Sequence, residues 1–253
     1  MERHFKNTVL AALIMGLMGN FSTSHASWFS SAEAPLVYYY IPLDSNTNLK
    51  DFGSQLWQMA RDERCSGILL LIDNNGGSAD VYSYLHDMIV RIRKIKPVVA
   101  LITGSACSGG YWVASATDYI IAHSASDIGG IGVYWEIQRW SDTQIESGAY
   151  KAKITPYVIT AGKYKAIAGR YKQDWSEHEK SYLQEDIEKT YQTFLASVAS
   201  DRGLAIGRAD EWADGKTFIS SEALKLGLID EIGTRFEAEE KLTALMKKKH
   251  KNK

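Results

Sequence analysis

The sequence predicts an α/β fold built on a buried parallel sheet, and three observations carry that prediction. Two unbroken apolar runs, Ile68-Leu69-Leu70-Leu71-Ile72 and Val98-Val99-Ala100-Leu101-Ile102, are apolar at every position, as strands covered on both faces are. Between them Val81, Leu85, Met88 and Ile92 recur at helical spacing, which sets one helix face against a sheet. Lys96-Pro97 stops that helix, because proline can neither donate its amide nor fit the turn before it. Strand, helix and strand in this order make a right-handed crossover unit, and the same grammar then repeats.

The elements follow in order. Met1 to Asn7 is short and carries basic residues, Thr8 to Gly19 is apolar and uncharged, and Ser22 to Ala26 is small and polar. That layout reads as a secretory signal over residues 1–26, cleaved after Ala26, with an uncleaved membrane anchor as the alternative. The apolar run is shorter than the ~20 residues that cross a bilayer. Either reading places Ser27 onward outside the cytoplasm. Leu36 to Ile41 is β-branched and aromatic and reads as a strand, and Asn48 to Arg61 as a helix. Asp73 to Gly77 is a turn after the first buried strand; Gly104 to Gly110 is a turn after the second, with a helix at Tyr111 to Thr117.

Further strands are expected at Tyr119 to Ala122, Ile131 to Tyr134, Ala152 to Ile159 and Thr217 to Ile219, with a helix at Trp140 to Ser147. Ser176-Glu177-His178-Glu179 fits a capping box for a long helix whose face is Leu183, Ile187, Tyr191, Phe194 and Val198. No linker and no repeat interrupts the chain, so one α/β domain with a helical C-terminal region is expected.

Composition narrows the function. Of 253 residues 45% are hydrophobic and 23% charged, which excludes a disordered tail, a collagen or a multispanning membrane protein. Lys plus Arg number 29 against 30 Asp plus Glu, so no global field draws nucleic acid. The basic run Lys247 to Lys253 reads as a solvated tail from residue 243 onward, or as a contact with anionic lipid at a membrane surface. Cys65 and Cys107 read as free core residues. The six histidines are scattered, with no His-Glu-x-x-His and no paired Cys-x-x-Cys, so neither a metal nor a cofactor is expected.

The chemistry sits at Gly104-Ser105-Ala106-Cys107-Ser108-Gly109-Gly110-Tyr111, between a buried strand and a helix. There Ser108 meets the helix N-terminus, where unpaired amides favour negative charge, and an oxyanion formed on its substrate lies beside the amide of Gly109. The plainer alternative is an N-cap serine followed by turn glycines. Neither a phosphate loop nor the Gly-x-Ser-x-Gly elbow fits, since Gly110-Tyr111 replaces the lysine pair and Ala106 stands two before Ser108. Asn74-Asn75-Gly76-Gly77 ends the neighbouring strand, so two Gly-Gly turns face the crevice where α/β sheets bind ligands.

Ile68 to Gly77, Lys96-Pro97-Val98-Val99-Ala100, Ala106 to Trp112, Gly129-Gly130-Ile131-Gly132-Val133 and Gly162-Lys163-Tyr164-Lys165 occur in that order. In this the chain resembles the signal peptide peptidase A family, the S49 serine peptidases that include protease IV, across residues 34–242. The resemblance implies a ClpP/crotonase-like fold of repeated ββα units with a helical C-terminal region. It implies Ser108 as nucleophile, Lys165 as general base, and the amides of Gly77 and Gly109 as the oxyanion hole. It further implies peptide substrates, cleaved signal peptides among them, a homo-oligomer with active sites between subunits, and a place in the periplasm or on the periplasmic face of the inner membrane.

A lysine acts as base only when neutral, so its pKa must fall from about 10.4 toward 7. Two departures stand out. The family's Ser/Thr-Pro-Gly-Gly reads Asn74-Asn75-Gly76-Gly77 here, without the stiffening proline, and its Gly-Ser-Ile-Gly reads Gly129-Gly130-Ile131-Gly132. The hydroxyl that holds the lysine is therefore missing, leaving Ser126, Ser124 or water to orient Lys165. Two rivals follow: a Ser-His-Asp protease using His123, and a fold-retaining pseudoprotease that binds peptides or organises membrane partners.

Overall fold

The computed structural model describes residues 10–11, 36–136 and 175–251. The chain divides into two compact units, Met1–Gly132 with Phe194–Lys253, and Val133–Thr193. In the first, β1 (Leu10–Ala11), β2 (Val37–Asp44), β3 (Gly67–Asn74), β4 (Val98–Cys107), β5 (Tyr119–Ala122) and β8 (Glu231–Ile232) form a sheet in the order β1-β2-β3-β4-β5-β8. Every pair along that path is parallel. A side branch, β6 (Asp127–Gly129), pairs in parallel with the C-terminal end of β4 and antiparallel with β7 (Thr217–Ile219).

Local chemistry sets the helices. Asn48 caps α1 (Leu49–Arg61) by accepting from the Lys50 amide at 3.2 Å. Helix α2 (Ala79–Ile95) ends just before Pro97, and α3 (Gly109–Ser115) starts where β4 stops. The capping box is present at the start of α4 (Glu177–Arg202): the Ser176 amide donates to Glu179 at 3.0 Å and the Glu179 amide to the Ser176 hydroxyl at 3.3 Å. Of α4, residues 177–193 fall in the second unit and the rest in the first. Two short helices, α5 (Ala209–Trp212) and α6 (Ser220–Lys225), precede α7 (Arg235–Lys251).

Side-chain alternation then divides the core. Tyr38, Leu69, Val99, Leu101 and Ile121 face α7 and pack on Ala238, Leu242 and Met246. A Cβ at Gly67 would lie 2.9 Å from side-chain atoms of both Leu242 and Met246, so α7 packs closely against β3 there. The alternate residues Ile68, Leu70, Ile72, Val98, Ala100 and Ile102 are fully buried on the opposite face, where α1, α2 and α3 contact the strands. A sheet buried on both sides is what the unbroken apolar runs required. Both cysteines are free and buried, as expected.

Four expectations change. Helix α2 is rotated from the aliphatic stripe: Tyr82, Leu85, His86, Ile89 and Ile92 are buried, while Val81 and Met88 are half-buried. Tyr82 and His86 turn inward because their polar atoms find partners there: Tyr82 donates to Asn74 at 2.8 Å, and the His86 ring nitrogens meet Asp87 at 3.0 Å and Asp201 at 2.6 Å. Strand β4 runs through Cys107, since Ser105, Ala106 and Cys107 pair with β6. Residues 131–134 form no strand, and that role falls to β6. The residues read as a tail from 243 are the last turns of α7, with Met246 buried.

The expected elements at 140–147 and 152–159, and Lys165 itself, lie outside the described residues. Of the segment read as a signal, residues 10–11 alone are described, as β1 beside Val37 and Tyr38. Among the described residues no helix is long and apolar enough to cross a membrane.

Candidate active site

Strand β4 delivers Ser108 to the N-terminus of α3 with no intervening loop. Its backbone adopts φ 51° and ψ −125°, and among the described residues it is the one non-glycine with positive φ. A β-carbon in that region costs roughly 1–3 kcal/mol and persists only where the surroundings impose it. Here they do. The Ser108 amide donates to the Gly129 carbonyl at 2.8 Å, and its carbonyl accepts from the Trp112 amide at 2.9 Å. This is a strained strand-to-helix turn, formed without the Gly-x-Ser-x-Gly sequence. Ser108 is half-buried, and its hydroxyl has no hydrogen-bond partner among the described residues.

The turn after β3 closes on the same point. A Cβ at Gly76, which has φ 89°, would lie 2.5 Å from the Gly109 amide nitrogen and 2.8 Å from the Ser108 Cβ. The two glycine turns are thus in direct contact. Gly77 is exposed beside the Tyr82 ring, and Gly109 is buried against the same ring, at 3.2 Å and 2.3 Å for a built Cβ. Gly109 opens α3, so its amide has no intrahelical acceptor, and neither it nor the Gly77 amide meets an acceptor among the described residues.

The structure also treats the departures from the family pattern. Gly130 has φ 58°, and a Cβ there would lie 3.2 Å from the Ser108 amide nitrogen. Glycine relieves both the strain and the crowding, which is a local reason for the absence of serine. Ser126 is buried and its hydroxyl donates to the Ile102 carbonyl at 3.3 Å, while Ser124 is exposed.

Rival nucleophiles and bases are weaker on their geometry. Burial, aided by the Asp127 charge, pushes the Cys107 thiol up to about 11, which keeps it protonated near neutral pH. Ser105 lies inside β4 with its hydroxyl 3.1 Å from the Asp73 carboxylate, which also accepts the Ser105 amide at 2.8 Å. His123 is half-buried, with no carboxylate partner among the described residues. The histidine that does pair with an aspartate is His86, and both its ring nitrogens are engaged. Burial alone would lower its pKa, but the bonds to Asp201 and Asp87 outweigh that and hold it above the usual histidine value. Among the described residues no cluster of His, Cys, Asp or Glu is fit to hold a metal.

Sequence reasoning overlooks two residues at this site, Asn74 and Tyr82. Asn74 is 3% exposed: its Oδ1 accepts from the Gly76 amide and from the Tyr82 hydroxyl, each at 2.8 Å, and its Nδ2 donates to the Asp44 carbonyl at 2.9 Å. The available signal was the missing proline, since Asn-x-Gly favours the same turn by side-chain bonding.

The chain is similar over much of its length to known proteases. The family model of peptidase family S49 matches residues 91–249, a span that holds Ser108 and Gly109 and stops short of Gly77. The chain is 35% identical over 187 residues to a Methanocaldococcus jannaschii protein named "Putative protease", covering 74% of this chain and 58% of that one. It is 33% identical over 181 residues to a Synechocystis protein of the same description, covering 70% and 62%. With "Protease 4" of Haemophilus influenzae it shares 29% over 186 residues, covering 73% and 29%. The chain therefore spans less than two thirds of the length of these relatives.

Proposed function

The chain belongs to peptidase family S49, with its ClpP/crotonase-like fold, and on that premise we propose that it is a serine endopeptidase that works by an acyl-enzyme route. The observation that carries the reading is the positive φ of Ser108 at a strand-to-helix turn whose neighbouring amides come from glycines. Ser108 attacks the peptide carbonyl, Lys165 takes the hydroxyl proton and returns it to the leaving amine, and the Gly77 and Gly109 amides stabilise the oxyanion. Such donors are worth roughly 10²–10³ in rate each. Peptides are the substrates that membership of the family favours, and cleaved signal peptides are those that the family resemblance adds.

We further propose that the Ser108 and Lys165 of one site come from neighbouring subunits. Mixing inactive Ser108→Ala with inactive Lys165→Ala would then restore part of the peptide hydrolysis through hybrid interfaces. A fully active monomer would contradict the shared site.

The basic start and short apolar run support export to the periplasm. Mass spectrometry of envelope fractions should find an N-terminus at or near Ser27; an intact Met1 in the envelope would favour the anchor, and recovery from the cytoplasm would defeat both. The scaffold reading rests on Gly130, which lacks the hydroxyl that would hold a lysine. A wild-type protein that hydrolyses no peptide would favour it.

A further inference from the structure

The turn that ends β3, Asn74-Asn75-Gly76-Gly77, contains no proline, yet it is tightly held. Proline would stiffen that turn by fixing φ; here a side-chain network does so. The Asn74 carboxamide receives the Gly76 amide and the Tyr82 hydroxyl on one oxygen, while its nitrogen is tied to the end of β2 through the Asp44 carbonyl. Its own backbone carbonyl lies against Gly110, where a Cβ would come within 2.2 Å. Tyr82 is 2% exposed, and its ring covers Gly109 and touches Gly77. Burial raises the Tyr82 phenol, so it stays protonated and able to donate.

From these contacts we infer that Asn74 and Tyr82 are positioning residues that together set the two oxyanion-hole amides. The inference rests on the reading of Gly77 and Gly109 as that hole. Asn74 fixes the Gly76-Gly77 turn from below and touches the first turn of α3 through Gly110. The Tyr82 ring spans both glycines, and its hydroxyl locks it to Asn74. Neither side chain needs to meet the substrate. Their effect comes through the direction in which two N–H groups point, and donors must lie within about 2.7–3.1 Å of the developing oxyanion to count. A small rotation of the turn therefore costs rate while leaving the binding of extended peptide almost unchanged.

The experiment is a rescue cycle. Asn74→Ser removes the carboxamide and leaves the turn with neither amide nor proline. Its kcat should fall about 10-fold or more, with KM within about 2-fold. Asn74→Ser combined with Asn75→Pro should recover most of the lost kcat, because proline restores the stiffness by another route. The Asn75 amide has no partner among the described residues, so proline forfeits no hydrogen bond there. Tyr82→Phe keeps the ring and removes only the hydroxyl. It should lower kcat several-fold without a matching fall in thermal stability, which covers the case in which Asn74→Ser folds poorly.

Normal kcat in both single variants would overturn the inference. So would a loss that the proline fails to restore, or one that appears wholly in KM. Ser108→Ala is measured alongside. If it stays active the oxyanion-hole reading itself has failed, whereas if it is dead and the Asn74 and Tyr82 variants are normal, only the positioning role is lost.

Discussion

Replacing Ser108 with alanine is expected to lower peptide hydrolysis by at least about 10³-fold, since the proposed acyl-enzyme route then loses its nucleophile. Stability provides an independent reading of the same residue. Ser108 holds its β-carbon at φ 51°. Alanine keeps that β-carbon and its strain, whereas glycine removes it at an entropic cost of roughly 0.5–1 kcal/mol. With strain of roughly 1–3 kcal/mol at stake, Ser108→Gly should melt a few degrees above Ser108→Ala, at about 2–4 °C per kcal/mol for a chain of this size. Calorimetry of the two inactive variants measures the difference. A clearly lower melting temperature for Ser108→Gly would mean that the turn is not strained.

Lys165→Ala should be as damaging, because the hydroxyl proton then has no acceptor; loss of a base removes roughly 10²–10⁴ in rate or more. Lys163→Ala, two residues earlier in the same motif, should change the rate only modestly. The pH profile carries the sign of the argument. A lysine base is active when deprotonated, so activity should fall toward acid pH with an apparent pKa well below the ~10.4 of a free lysine. His123→Ala is the control. A dead His123→Ala beside a normal Lys165→Ala would replace the dyad by a histidine-based mechanism, although His123 has no described carboxylate to orient it.

Much of this was legible in the sequence where one pattern dominates its segment. The apolar runs around Leu70 and Ala100 mark β3 and β4 because strands buried on both faces admit few polar residues. The capping box at Ser176 is legible because its two hydrogen bonds are local. Ser108 and the glycines after it are visible as a strand-to-helix junction for the same reason.

What escaped is what depends on distant partners. Strand β6 is Asp127-Ile128-Gly129, too short and too polar to announce itself, and it exists because β4 and β7 pair with it on either side. The buried face of α2 departs from the aliphatic stripe because Tyr82 and His86 turn inward, their polar tips satisfied by Asn74, Asp87 and Asp201. Asn74 reads as an ordinary turn residue until Asp44, 30 positions away, and the Tyr82 hydroxyl are brought to its carboxamide. The strained backbone of Ser108 likewise follows from its bond to Gly129, 21 residues onward, and no motif in its own segment encodes it.

Fluorophosphonate labelling followed by peptide mapping identifies the nucleophile, because the probe reacts with an activated serine and marks its position. One adduct is expected, on Ser108, absent from Ser108→Ala and strongly reduced in Lys165→Ala. An adduct on Ser105 or Ser126 instead, or peptide hydrolysis that survives in a Ser108→Ala protein, would contradict Ser108 as the nucleophile.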